Sequence, residues 1–158
     1  MGIKSYIVNF LKFLKHGGVK YVSVTFTNPD ARYTNKKVFI SGGSEGLGRA
    51  MAKAYLAEGA EVIVTGRSKE KLSNFQLSES NAKLHTLVWD ALDFDSYKQK
   101  FDEAVSMMGR IDIFVNNVGG GMSKYEPWNA YTAEVLDRTY DINTKSMFLM
   151  CQMEGLYM

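Results

Sequence analysis

The sequence predicts an α/β protein built on a parallel, doubly wound sheet. Three observations carry that prediction. Short apolar runs of strand length, centred on Val38-Phe39-Ile40, Val62-Ile63-Val64, Lys83–Trp89 and Ile111–Val115, alternate with amphipathic stretches of helical length. Continuous apolar strands are those of a sheet covered on both faces. A glycine-rich segment joins the first run directly to the first helix. Strand–helix alternation of this kind gives parallel pairing through right-handed crossovers.

The elements follow in order. Ile3 to Leu14 reads as an amphipathic helix, with Ile3, Tyr6, Ile7, Phe10, Leu11, Phe13 and Leu14 on its apolar face. A β-like run, Val19 to Thr27, ends at Asn28-Pro29-Asp30. Residues 1–35 are therefore taken as an N-terminal extension and 36–158 as the main domain. Lys37–Ser41 is the first strand. Glu45–Glu58 is a helix with Leu47, Met51, Ala54 and Tyr55 on its inner side and Gly59 at its end. Glu61–Thr65 is the second strand, and Ser68 caps a helix to about Leu77. The third strand is followed by a helix over Asp93–Met108, stopped by Gly109. After the fourth strand comes a glycine-rich loop containing Pro127. A long helix runs from about Thr132 towards Cys151.

Composition removes several classes of function. The chain has 158 residues, 46% of them hydrophobic, which suits one packed domain. A formal charge of +2 without a basic cluster argues against a nucleic-acid partner. The single cysteine, Cys151, fits a reduced, cytoplasmic protein. His16 and His85 stand alone, so no metal site is expected. The N-terminal helix is expected to pack on protein rather than lie on a membrane surface.

The segment Ser41-Gly42-Gly43-Ser44-Glu45-Gly46-Leu47-Gly48 carries the chemistry. Between a strand and a helix it forms a turn whose backbone N–H groups and helix N-terminus face a pyrophosphate. Gly42 permits the tight turn, Gly46 leaves room for the pyrophosphate, and Gly48 lets the helix lie close on the sheet. Gly42, Ser44, Glu45, Gly46, Leu47 and Gly48 are accordingly assigned to a dinucleotide, and the fold to the Rossmann type. About 20 residues past the turn, an acidic side chain would accept the ribose 2′-hydroxyl of NAD. Arg67 stands there, followed by Ser68 and Lys69. A planar guanidinium suits a 2′-phosphate, so NADP is expected over NAD. Glu45 in the turn counts against this, since a basic residue there would have helped.

These residues resemble the classical short-chain dehydrogenase/reductase family. Its Thr-Gly-x-x-x-Gly-x-Gly motif is matched with Ser41 in place of threonine. Its Asn-Asn-Ala-Gly signature is matched by Asn116-Asn117-Val118-Gly119, with valine for alanine. The resemblance implies that Asp90, with Ala91 beside it, meets the adenine, and that Asn117, Val118 and Gly119 lie along the cofactor. It implies that Asn116 ties neighbouring strands through its amide. Asp141-Ile142-Asn143 matches the context of the asparagine in the family's catalytic tetrad, so Asn143 would hold a water in a proton relay at a kink in its helix.

The family's remaining acid–base pair is a tyrosine with a lysine four residues later, after a fifth strand. The only Tyr-x-x-x-Lys here is Tyr33 and Lys37, which flank the first strand and are read as coincidence. The resemblance therefore implies reversible hydride transfer to a small carbonyl or alcohol substrate by a whole family member. This chain reads as a front portion ending after the fourth strand and the following long helix, not competent alone. An open fourth-strand edge and the apolar Ile142, Met147, Phe148, Leu149 and Met150 suggest a homo-oligomer. Two alternatives stand beside this reading: a non-catalytic nucleotide sensor, and a methyltransferase, which Arg67 disfavours.

Overall fold

Four short apolar runs pair in parallel, with the first run central between the second and the fourth, and the third outside the second. The computed structural model describes residues 31–121 and 131–158. The predicted helix over Ile3–Leu14, the run Val19–Thr27, and loop residues Met122, Tyr125, Pro127 and Trp128 lie outside the described residues. The strands are β1 (Lys37–Ile40), β2 (Glu61–Gly66), β3 (Leu84–Val88) and β4 (Ile113–Val115). The helices are α1 (Gly46–Ala57), α2 (Lys69–Glu79), α3 (Tyr97–Met108), α4 (Ala133–Tyr140) and α5 (Ser146–Tyr157). A 3-10 turn, Phe94–Ser96, leads into α3, and a π-helical turn, Asp141–Lys145, joins α4 to α5. The boundaries follow the sequence reading to within a few residues, except that the last helix runs on to Tyr157.

Alternation along each strand splits the core into two layers. Val38, Ile40, Val62 and Val64 face α1 and α2 through Ala52, Leu56, Leu72 and Phe75. Phe39, Ile63 and Leu87 face α3 and α5 through Tyr97, Phe101, Ala104 and Met150. The second layer is aromatic. Phe101 stacks on Phe39 at 5.5 Å and on Phe114 at 5.3 Å, with Trp89 edge-on at 5.8 Å. This is the doubly wound arrangement that the strand spacing predicts.

The inner face of α1 differs from its prediction. Gly48, Ala52 and Leu56 are buried, at a strict four-residue spacing, while Leu47 is 71% exposed and Ala54 also faces solvent. Met51 and Tyr55 are partly buried as expected. The helix is rotated by about one residue, roughly 100°, because Gly48 alone is small enough to sit against the turn. Tyr33 and Lys37 are structural, as the sequence suggests: Tyr33 packs edge-on to Tyr55 at 4.8 Å, and Lys37 pairs with Glu61.

A partly buried carboxyl at the β4 side gives the first testable consequence. Burial raises the pKa of Glu154, a shift only partly offset by the hydrogen bond from Asn116 Nδ2 at 2.7 Å. A folded-state pKa above the unfolded value means that the folded state binds more protons in that window. The stabilisation is then complete below the unfolded value of about 4.3 and is lost as pH rises through the folded pKa. Glu154→Gln removes this loss. Thermal unfolding near pH 7 should show the variant to be more stable than the parent, with the advantage gone near pH 4. An equal effect at both pH values would refute the assignment.

Candidate functional site

The chain reverses direction across the sheet at β1, running outward through β2 and β3 and then returning to β4 on the other side. Ligands of open α/β sheets bind at such a switch point, beyond the carboxyl ends of the strands. A cleft of about 520 Å³ lies there, lined by Gly42, Ser44 and Glu45 from the glycine turn, Arg67 after β2, Asp90 and Ala91 after β3, and Asn117, Val118 and Gly119 after β4.

The floor of the cleft is stitched from Ser41. This fully buried side chain accepts the N–H of Asn117 at 2.9 Å and of Val118 at 3.1 Å on its Oγ. Asn117 Nδ2 reciprocates, donating to the carbonyls of Ser41 at 3.1 Å and Gly42 at 2.9 Å. On the other side, Gly43 N–H donates to Thr65 O at 2.8 Å. The ends of β1, β2 and β4 are thereby locked together. The strand-tying residue is Asn117, not Asn116 as the resemblance implied. Successive residues of an extended segment point to opposite sides. The Asn116 amide therefore turns away, donating to Glu154 and, at 3.3 Å, to the Cys151 sulfur.

Gly42 and Gly43 commit their N–H groups to Thr65, at 3.3 Å to its Oγ1 and 2.8 Å to its carbonyl, while the N–H groups of Ser44 to Gly48 make no hydrogen bond among the described residues. Glu45 occupies the N-cap position of α1 but its side chain makes no capping bond. By contrast Ser68 Oγ accepts Lys71 N–H at 3.2 Å and caps α2. Gly46 has φ of +57°, and a side chain added there would meet nothing within 4 Å. The space over the helix N-terminus is open towards the cleft, as a pyrophosphate requires. At Gly48 the situation is the reverse: an added Cβ would overlap the Gly42 carbonyl and lie 2.5 Å from Asn117 Nδ2.

Arg67 is exposed, lines the cleft, and makes no hydrogen bond or ion pair among the described residues. The Glu45 carboxylate is held by Lys71 Nζ at 2.7 and 2.9 Å, a partner that sequence reasoning missed. Asp90 accepts Leu92 N–H on one oxygen at 3.0 Å, which leaves the other for a donor in the cleft. The wall beneath is set by Tyr97, whose hydroxyl donates to Ala91 O at 2.7 Å. Burial pushes that hydroxyl's pKa up, so it stays a donor. Thr65, Leu92, Arg138 and Thr139 also line the cleft, unannounced by any motif.

Asn143 sits in the π-helical turn. Its Nδ2 donates to Thr139 O at 2.8 Å and Gly120 O at 2.7 Å, and its Oδ1 accepts Gly120 N–H at 3.1 Å. Both amide hydrogens are committed, and the side chain clamps the glycine run Gly119–Gly121 beside Val118. Gly46, Leu47, Gly48, Ser68 and Asn143 do not line the cleft themselves. Gly48, Ser68 and Asn143 shape the residues that do, while Leu47 lies beside the open helix N-terminus.

Comparison with known proteins agrees with this geometry. Residues 36–158 match the family model described as short chain dehydrogenase. Levodione reductase of Leifsonia aquatica is 35% identical over 127 residues, covering 78% of this chain and 47% of that protein. A crystal structure of levodione reductase superposes with a TM-score of 0.73 at 32% identity, over 80% of this chain and 50% of that one. The 3-ketoacyl-(acyl-carrier-protein) reductase of Brucella melitensis, complexed with NADH, gives 0.70 at 27% identity, over 76% and 49%. The chain spans about half the length of the curated relatives it matches. Among the described residues no helix is long and apolar enough to cross a membrane.

Proposed function

Because the chain belongs to the short chain dehydrogenase family, we propose that it forms the NADP-binding portion of an oxidoreductase acting on a small carbonyl or alcohol substrate. The Arg67 guanidinium, which lines the cleft and makes no hydrogen bond or ion pair among the described residues, carries this reading. An acidic residue there would have favoured NAD. The objection from Glu45 weakens, because Lys71 occupies both its oxygens.

When bound, the nicotinamide supplies or accepts the hydride exchanged with the substrate carbon. The chain's own residues bind and position. The open N-terminus of α1, with Ser44, Glu45, Gly46 and Leu47, takes the pyrophosphate through backbone N–H groups, and Gly42, whose own N–H is held by Thr65, forms the turn that lets it approach. Arg67, with Ser68 beside it, takes the 2′-phosphate, and Asp90 with Ala91 takes the adenine. Asn117, Val118 and Gly119 line the nicotinamide side, held by Ser41 and Asn143. Asn143 is thus a positioning residue. The one Tyr-x-x-x-Lys of the sequence, Tyr33 to Lys37, leads into β1 rather than lying on a helix, so we propose that this chain alone binds cofactor without turnover. Leu136, Tyr140, Met147 and Phe148 are exposed along α4 and α5, which supports a homo-oligomer.

Calorimetric titration of the 158-residue chain tests the cofactor. NADPH should bind more tightly than NADH. Arg67→Ala should weaken NADPH by about 10- to 100-fold, the worth of one charge-assisted contact of ~1.5–3 kcal/mol, and leave NADH nearly unchanged. Equal losses for both nucleotides would overturn the phosphate assignment.

A further inference from the structure

The ion pair between Glu45 and Lys71 crosses from the glycine turn to the first turn of α2, and its Glu45 end lines the cleft that Arg67 also lines. As a surface pair between two half-exposed side chains it adds little to stability. Its position is what matters. Glu45 lines the cleft through which a nucleotide would enter, and it is the one carboxylate of the glycine turn. An unneutralised carboxylate there would repel a 2′-phosphate bearing nearly two negative charges. Lys71 Nζ holds both Glu45 oxygens, and the Lys71 backbone is itself fixed by the cap that Ser68 provides.

We infer that Lys71 is a positioning residue for cofactor specificity: by holding the Glu45 carboxylate it lets the cleft accept a 2′-phosphorylated dinucleotide. This rests on the NADP reading above. Lys71 does not line the cleft, so its effect runs through Glu45 rather than through direct contact with the phosphate. The effect is electrostatic and on the surface, so it falls with ionic strength.

The experiment is a double-mutant cycle read as dissociation constants for NADPH and NADH, measured calorimetrically on the 158-residue chain at low and high salt. Lys71→Met should weaken NADPH about tenfold at low salt and NADH by less than about twofold, with the difference shrinking at high salt. Lys71→Arg should restore NADPH binding. In the Glu45→Gln background, Lys71→Met should cost NADPH little. A merely structural role for Lys71 would move both nucleotides together and would not depend on Glu45. Equal losses for the two nucleotides, or an undiminished tenfold loss in the Glu45→Gln background, would overturn the inference while leaving the NADP reading standing. A parent chain that binds NADPH no better than NADH would overturn that reading, and this inference with it.

Discussion

Gly48→Ala is expected to cost the domain about 1–3 kcal/mol and to weaken nucleotide binding at least tenfold, although alanine is the better helix former by ~1 kcal/mol. The added methyl group has nowhere to go. It would overlap the Gly42 carbonyl and stand 2.5 Å from Asn117 Nδ2. Neither neighbour yields easily. The Gly42 carbonyl accepts from Asn117, and Asn117 also holds Ser41. To make room, α1 must lift from the turn, carrying its N-terminus away from the pyrophosphate position. Gly155→Ala is the control, since a side chain there meets nothing within 4 Å in α5 and should be neutral or stabilising. Urea unfolding and NADPH titration of both variants decide the matter. A Gly48→Ala chain that gains stability like the control would refute the close approach.

Phe101→Ala should produce the largest loss of stability, about 3–5 kcal/mol, out of the roughly 5–15 kcal/mol margin of an ordinary domain. Phe101 is fully buried in α3 and lies within stacking or edge contact of Phe39, Phe114, Trp89 and Tyr157. Truncation leaves a cavity between the sheet and α3 that four rings cannot all close, because Phe39 and Phe114 are fixed by strand pairing. Denaturant midpoints measure the change, and a loss below about 1.5 kcal/mol would mean that the aromatic layer repacks. Cofactor affinity of the folded fraction should change little, since the cleft lies at the strand ends and Phe101 is beneath the sheet. Unfolding and binding thus separate the two variants.

The sequence by itself determined the parallel sheet and pointed to the glycine turn as the proposed nucleotide site. Those follow from local signals: apolar runs that must be buried on two faces, and a Gly-x-x-x-Gly-x-Gly turn between strand and helix, of the kind that backbone-led anion binding uses. The positions of Arg67 and Asp90 were legible for the same reason, being fixed offsets from strand ends. What the sequence could not supply was orientation between neighbours. Adjacent asparagines look alike in a motif, and only the packed strand end shows that Asn117 faces Ser41 while Asn116 faces Glu154. The inner face of α1 was misread by one position, because the helix is placed by the contact at Gly48 and not by its most apolar stripe. Lys71 was invisible for a like reason. It lies 26 residues from Glu45 in the chain, and nothing in either residue announces the other. Tertiary structure alone decided these points, because each depends on which side chains meet across a turn. Local sequence fixes elements and their offsets, whereas meetings between distant residues arise only once the sheet has brought its strand ends together.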